Sequence, residues 1–334
     1  MRKIVLGLMF ATAMSGAAFA NQSDQEICAG DNHAAAVAAC TRLLDRGGMT
    51  PTREAITRYY RGYSLGETDR LREAIADLNI SIELDPTDSD YFDLRGRTYR
   101  RLGEHDKAIA DYSSAVEINP KNHLSWNGLG FIYEKRHELD RALAAYEKAV
   151  EAKPDFDTGH RNIGDVHAAL GQFTQAIAAY NKAISIDRND ADHMRSRGLT
   201  NFYMGNNAKA VADLRKAVAM SDAYSMLTLF IAQSRLGEDG SAELRKNMLA
   251  GRDSRFPYIL GEMLLGKREP ASVLRAAEDN DNRCEAHYYI GAMRSMKGDA
   301  SAAAQSWREA ARICSGTIFE GISAKVELSK IADR

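Results

Sequence analysis

The 334-residue sequence is poor in the residues that usually announce chemistry. It holds six prolines, four cysteines and two tryptophans. None of the cysteines forms a Cys-x-x-Cys pair, which removes the common zinc and dithiol spacings. No glycine-rich loop follows a strand-like run, so a phosphate cradle has no place to sit. The serines lack the strained strand-to-helix turn of a nucleophile elbow. Charge of one sign is also scarce: 44 basic against 46 acidic residues give a net charge of −2. A broad nucleic-acid partner needs a basic face that this balance does not supply.

Long apolar runs are missing too, with one exception at the start. Arg2 and Lys3 precede the uncharged stretch Ile4–Ala20, and Ala18-Phe19-Ala20 has small residues where cleavage needs them. This predicts a signal peptide over residues 1–20 and export. A run rich in Ala and Gly makes a poor membrane span. The first cysteine after it is Cys28, too distant for lipid attachment. Removing Arg2 and Lys3 takes the charge from −2 to −4, mildly acidic and adequate for solubility. The expected location is the periplasm, without a lipid anchor.

What the sequence does have is a period. Glycines fall at Gly62, Gly96, Gly130, Gly164 and Gly198, and alanines at Ala74, Ala108, Ala142, Ala176 and Ala210. A third row reads Leu78, Tyr112, Tyr146, Tyr180 and Leu214; a fourth reads Ser81, Ala115, Ala149, Ala183 and Ala217. Pro86, Pro120 and Pro154 close the first three copies. Three- and four-residue steps put Trp126, Leu129, Gly130 and Tyr133 on one side of a helix. Ala142, Tyr146, Ala149 and Val150 do the same for a second helix, with a turn over 135–140. Each copy is a helical hairpin that buries its apolar face only by stacking on its neighbours.

This pattern resembles the tetratricopeptide repeat, whose signature places are filled by Trp126, Leu129, Gly130, Tyr133, Ala142, Tyr146, Ala149 and Pro154. The resemblance implies an all-α, right-handed superhelical solenoid of antiparallel helix pairs. The expected organisation is a cap helix within 21–54, then five units at 55–88, 89–122, 123–156, 157–190 and 191–222. Degenerate pairs and a capping helix follow over 223–334.

Within the caps, His33–Arg46 reads as a helix ended by Gly47-Gly48, and Asn21–Asn32 as irregular. Pro51 suits a helix start, and Asp88 and Asn122 can cap the helices after them. Beyond residue 222, helices are expected at 223–235, 241–249, 256–265, 270–277, 286–297, 300–313 and 318–331. Four cysteines in an exported chain suggest two disulfides. Cys284 and Cys314 are equidistant from the turn at Gly298-Asp299, so antiparallel helices set them opposite each other. Such a loop stabilises by roughly 3–4 kcal/mol on the chain-entropy account. Cys28 and Cys40 cannot join along one straight helix, which would separate them by about 18 Å. They can pair only if residues 29–32 turn the chain back.

A second resemblance covers the C-terminal half. Phe256-Pro-Tyr-Ile-Leu-Gly, Glu285-Ala-His-Tyr-Tyr-Ile-Gly, Lys297-Gly-Asp and Trp307-Arg-Glu-Ala are similar to the NlpI-type periplasmic proteins of the same repeat class. That resemblance implies partners among cell-wall hydrolases and a tail-specific protease. The missing lipid site and the extra cysteines depart from it.

No catalytic set, cofactor or metal site emerges. His160 and His167 share a helix face with His193 one repeat on, but the first two take Trp-like and Tyr-like packing places. Asp106 with Asp111, and Glu147 with Glu151, read as solvated faces. The remaining candidate is a partner-binding groove lined by the first helix of each repeat. Its outward places are Tyr59, Tyr63, Arg97, Arg100, Asn127, Phe131, Arg161 and Arg195, joined by Asp93, Glu134, Asp165, Leu199 and Phe202. Arginines beside aromatics suit an extended protein segment with acidic and apolar side chains. The competing reading pairs Arg97 with Asp93, and Arg161 with Asp165, along their own helices. The expected function is a non-catalytic periplasmic adaptor whose partners are proteins, without nucleic acid or membrane span, a homo-oligomer remaining open. The alternative is an architectural component of an envelope secretion or assembly complex, bound through its outer face.

Overall fold

A computed structural model of the chain describes residues 24–332 apart from 221, 223, 251–255 and 315–318. The signal segment expected over residues 1–20 lies outside the described residues. Among the described residues there are nineteen helices and no strand, the all-α architecture that the repeat implies. The chain divides into two compact units, Met1–Thr87 and Asp88–Arg334.

The first unit contains α1 (Asp24–Cys28), α2 (His33–Arg46), α3 (Pro51–Glu67) and α4 (Leu71–Leu84). The stretch expected to be irregular therefore contains a short helix. Its reason is tertiary: the Asp24 carboxylate holds Arg42 at 2.6 Å and Arg46 at 2.5 Å. Cys28 and Cys40 form a disulfide with Cα atoms 4.9 Å apart, and the chain does turn back between them. Asn32 caps α2 by accepting from the Ala35 amide, and Thr50 caps α3 ahead of Pro51. Gly62 lets α3 approach Leu78 of α4; a Cβ there would sit 3.1 Å from the leucine side chain.

The second unit opens with four antiparallel pairs: α5 (Ser89–Arg101) with α6 (His105–Ile118), α7 (His123–Lys135) with α8 (Leu139–Ala152), α9 (Asp157–Ala169) with α10 (Phe173–Ile186), and α11 (Ala191–Tyr203) with α12 (Asn207–Ala219). Asp88, Asn122 and Asp190 accept backbone N–H groups at the starts of α5, α7 and α11. The turns inside the pairs need a left-handed residue. Gly103, Gly171 and Gly205 supply it, whereas His137 adopts φ 59° at the same repeat position.

Packing inside the pairs rests on an aromatic ring facing glycine. A Cβ at Gly128 would lie 2.5 Å from the Tyr112 ring, and one at Gly96 would lie 3.0 Å from it. Tyr112 thus fills the space between its own pair and the next. Within their own pairs, Tyr146 on Gly130 and Tyr180 on Gly164 repeat the Gly96 contact, and both rings are buried.

Helices α13 (Ser225–Arg235), α14 (Ser241–Ala250), α15 (Phe256–Leu264) and α16 (Pro270–Ala276) follow. Then come α17 (Asn280–Met296), α18 (Ala300–Ile313) and α19 (Phe319–Ala332). The α17–α18 pair returns to the repeat design, with the Trp307 ring on Gly291 and its indole N–H donating to the Tyr288 carbonyl at 3.2 Å. Helix α17 starts six residues earlier than the periodicity suggests, because Asp279 caps it by accepting from the Asn282 amide. Cys284 and Cys314 are joined, with Cα atoms 5.1 Å apart. A continuous apolar core runs from Leu199 to Ala324.

Candidate partner-binding face

In the second unit the first helices lie side by side, and side chains link each to the next. Ser125 on α7 donates to Asp93 on α5 at 2.5 Å. Asn162 on α9 donates to Asn127 on α7 at 2.8 Å. Arg161 on α9 reaches Asp192 on α11 at 3.8 Å. One face therefore carries Arg97, Arg100, Asn127, Phe131, Arg161 and Arg195, all half-buried. Two cations lie over the Phe131 ring, Arg100 at 4.8 Å and Lys135 at 5.6 Å from its centre.

Acids alternate with these cations. Tyr146 donates its hydroxyl to Glu134, and Tyr180 donates to Asp165, each at 2.8 Å. Burial raises the Glu134 carboxyl above its ordinary value, Tyr146 draws it down and Asp165 pushes it further up. Burial also raises Asp165, against the pull of Arg161 and the Tyr180 hydrogen bond. Asp93 is raised by burial against its bond from Ser125 and the charges of Arg97 and Arg100. The Tyr112 hydroxyl, buried near Asp93, is pushed up to about 12. The face is thus a mosaic of both signs, and its arginines share their field with buried carboxyls.

Tyr59 and Tyr63 belong to α3 in the other unit and are half-buried. Tyr63 meets the His33 ring edge-on at 5.5 Å, which places it against the N-terminal cap helix. Tyr59 packs edge-on with Tyr60 at the same separation.

Several expectations change. Leu199 and Phe202 are buried core residues, not outward ones. They belong to the C-terminal apolar core, and α19 lies against α11, α17 and α18. Glu327 of α19 binds Arg235 at 2.9 Å, and that guanidinium stacks on the Phe202 ring at 4.1 Å. Arg195 is engaged by Asp192 at 2.8 Å and Asp222 at 3.5 Å. Arg161 pairs with Asp192 rather than forming an ion pair with Asp165, which takes the Tyr180 hydroxyl instead. Asp111 is buried and held by both Nε and Nη2 of Arg95, so it is no solvated acid; Asp106 remains exposed.

Three arrangements escaped the sequence reading. Arg61–Asp77, Arg95–Asp111 and Arg197–Asp213 are bidentate pairs joining the two helices of a repeat. Their constant sixteen-residue spacing was a usable signal. Gly62-Tyr63-Ser64-Leu65-Gly66 spells a nucleophile-elbow motif, yet it lies inside α3 with Ser64 buried, so it presents no nucleophile. Finally, His193 is buried between Asp157 and Asp190, a group able to offer three metal-ligand atoms. His160 and His167 do take half-buried packing places: His160 contacts the Pro154 carbonyl at 3.0 Å, as Trp126 does that of Pro120.

No helix among the described residues is long and apolar enough to cross a membrane. The two cystines leave no free cysteine among the described residues, consistent with an oxidising compartment.

Two family models match, one described as TPR repeat over residues 96–137 and one as tetratricopeptide repeat over 127–193. Neither indicates a catalytic family. No curated protein matches the chain. Among solved structures it is similar to PilF of Pseudomonas aeruginosa, with 14% identity over 62% of this chain and 96% of that one, at a TM-score of 0.55. PilW, titled a widely conserved type IV pilus biogenesis factor, gives 20% identity over 58% and 94%, at 0.51. The Cut9-Hcn1 assembly of the APC/C gives 16% identity over 91% of this chain and 53% of that one, at 0.53. At these identities the likeness shows the fold alone.

Proposed function

Taking as premise that residues 96–193 are tetratricopeptide repeats, a class that acts in protein–protein interaction, we propose that the chain is a non-catalytic adaptor of the periplasm. It holds an extended segment of another protein on the first helices of its repeats. The observation that carries this reading is the continuous half-buried row Arg97, Arg100, Asn127, Phe131 and Arg161 across α5, α7 and α9. Asn127 and Arg161 are held by neighbouring helices and Arg100 lies over the Phe131 ring, so less order is lost on binding. Helix α19 packs mainly on α18, α17 and α11, not on the row formed by α5, α7 and α9. A segment alternating acidic and apolar residues meets Arg97, Arg100 and Arg161 with its charges and Phe131 with its apolar groups.

Export rests on the N-terminal segment and the cystines. On the sequence resemblance of the C-terminal half to NlpI-type proteins, the partners proposed are a tail-specific protease and peptidoglycan hydrolases. The test is capture from a periplasmic extract with the full mature chain beside an Arg97→Gln/Arg161→Gln double variant. Capture of such enzymes by the mature chain, lost in the double variant, supports the adaptor and its face. Undiminished capture by the double variant moves binding elsewhere. The architectural reading uses a different surface, including the exposed Leu170 and Met204 at the turns inside two repeats. Capture confined to secretion or assembly components, unaffected by the arginines, favours it.

A further inference from the structure

We propose that Asp157, Asp190 and His193 bind one divalent transition-metal ion of the zinc type. The His193 Nε2 atom lies 3.1 Å from an Asp157 oxygen, and its Nδ1 lies 3.6 Å from an Asp190 oxygen. One ring nitrogen and one oxygen of each carboxylate all fall within 4.8 Å of one another. The ring is 1% exposed, and Nδ1 makes no hydrogen bond although it is buried. An imidazole nitrogen in that state forgoes its solvation without compensation.

The charges point the same way. No Lys or Arg among the described residues pairs with Asp157 or Asp190. The nearby arginines are committed elsewhere: Arg161 to Asp192 at 3.8 Å, and Arg195 to Asp192 at 2.8 Å and Asp222 at 3.5 Å. Two carboxylates therefore converge on one ring with no permanent counter-charge, and a divalent cation supplies it. Capping explains only part of this arrangement. Asp190 accepts from the Asp192 and His193 amides at the start of α11, as Asp88 does at the start of α5. However, the repeat places of His193 hold Tyr91, Ser125 and Gly159, and those of Asp157 hold Ser89, His123 and Ala191. The set belongs to this junction and not to the repeat.

Imidazole with two carboxylates is a mixed donor set that suits zinc and its first-row neighbours, whereas magnesium and calcium favour all-oxygen shells. Ligand atoms about 2.1 Å from a tetrahedral ion stand about 3.4 Å apart. Asp157 and Asp190, with side chains 28% and 34% exposed, can rotate inward while the packed His193 stays in place. Solvent completes the coordination. The ion then ties the starts of α9 and α11 together, beside Arg161 and Arg195.

The test uses the full chain, freed of metal by a chelator, in calorimetric titration with zinc chloride and in thermal unfolding with and without it. The expected result is one equivalent bound and a higher unfolding temperature. His193→Gln and Asp157→Asn should each weaken binding by about tenfold or more, and magnesium should have no effect. The proposal is overturned if zinc neither binds nor raises the unfolding temperature. It is equally overturned if both variants bind zinc like the parent, which would place the ion on other histidines. Should His193→Gln fail to fold, Asp157→Asn, altered at a partly exposed side chain, decides alone.

Discussion

The pairs at 89–122 and 191–222 and the two pairs between them share one backbone plan but join their helices differently. In the outer two, Arg95 clasps Asp111 and Arg197 clasps Asp213 with two charge-assisted bonds each, at 2.7 and 2.8 Å. In the inner two, the same places hold Leu129 with Ala145 and Ile163 with Ala179. The inner pairs put their acids on the opposite side, as Glu134 under Tyr146 and Asp165 under Tyr180. A helix pair therefore forms with or without the clasp. Desolvating an ion pair costs about as much as its attraction returns, so apolar residues substitute for both partners but not for one.

The sharpest way to break that comparison is to remove half a clasp. Asp213→Ala leaves Arg197 partly buried without its carboxylate, and should lower stability by about 3 kcal/mol. Replacing both, as Arg197→Leu/Asp213→Ala, copies the pair at 123–156 and should recover most of the loss. Urea unfolding of the three proteins checks this; a double variant no better than the single would mean that the clasp is required. The ring-on-glycine contact, present in the pair at 89–122 and in both inner pairs, comes next. A Cβ at Gly164 would lie 2.5 Å from the Tyr180 ring. Gly164→Ala should therefore cost about 1–3 kcal/mol by overpacking, read as a lower midpoint in the same assay.

The inner acids have a counterpart in the last pair that lacks a donor. One oxygen of Glu285 is buried without a hydrogen bond. Burial, then Glu320, Asp281 and Asp279, push its carboxyl up to about 8. The folded chain keeps a proton there that the unfolded chain releases in the ordinary carboxylate range. Stability should consequently fall as pH rises between that range and about 8. Glu285→Gln should flatten this fall by a few degrees in thermal scans at pH 5 and pH 8; equal slopes would mean that Glu285 is already ionised. The smallest effect is expected at the turn of an inner pair. His137 has φ 59° where its neighbours use glycine, and His137→Gly should stabilise by about 0.5–1 kcal/mol, read as a higher midpoint in urea.

Much of the fold was legible because a repeat writes its own contacts. The row of Gly, Ala and Tyr at constant spacing states which residues touch, since each unit meets only its neighbours. Both cystines were legible for a related reason: one straddles a hairpin turn, the other a tight reversal. The short helix at Asp24–Cys28 was not, because five residues carry no period and are held by Arg42 and Arg46. The candidate face was half legible. Helical spacing placed Arg97, Arg100, Asn127, Phe131 and Arg161 together, but it could not show which cations were already engaged.

The sequence by itself determined the stack of helical pairs, their turns and the two cystine-closed ends, all of which follow from local spacing. The tertiary structure alone decided that α19 returns against α11 and that Leu199 and Phe202 are buried in the C-terminal core. It alone brought Asp157 to His193 across 36 positions, and turned Asp165 toward Tyr180 instead of Arg161. Periodicity records what recurs. These contacts occur once, and their distances are set by how whole helices pack.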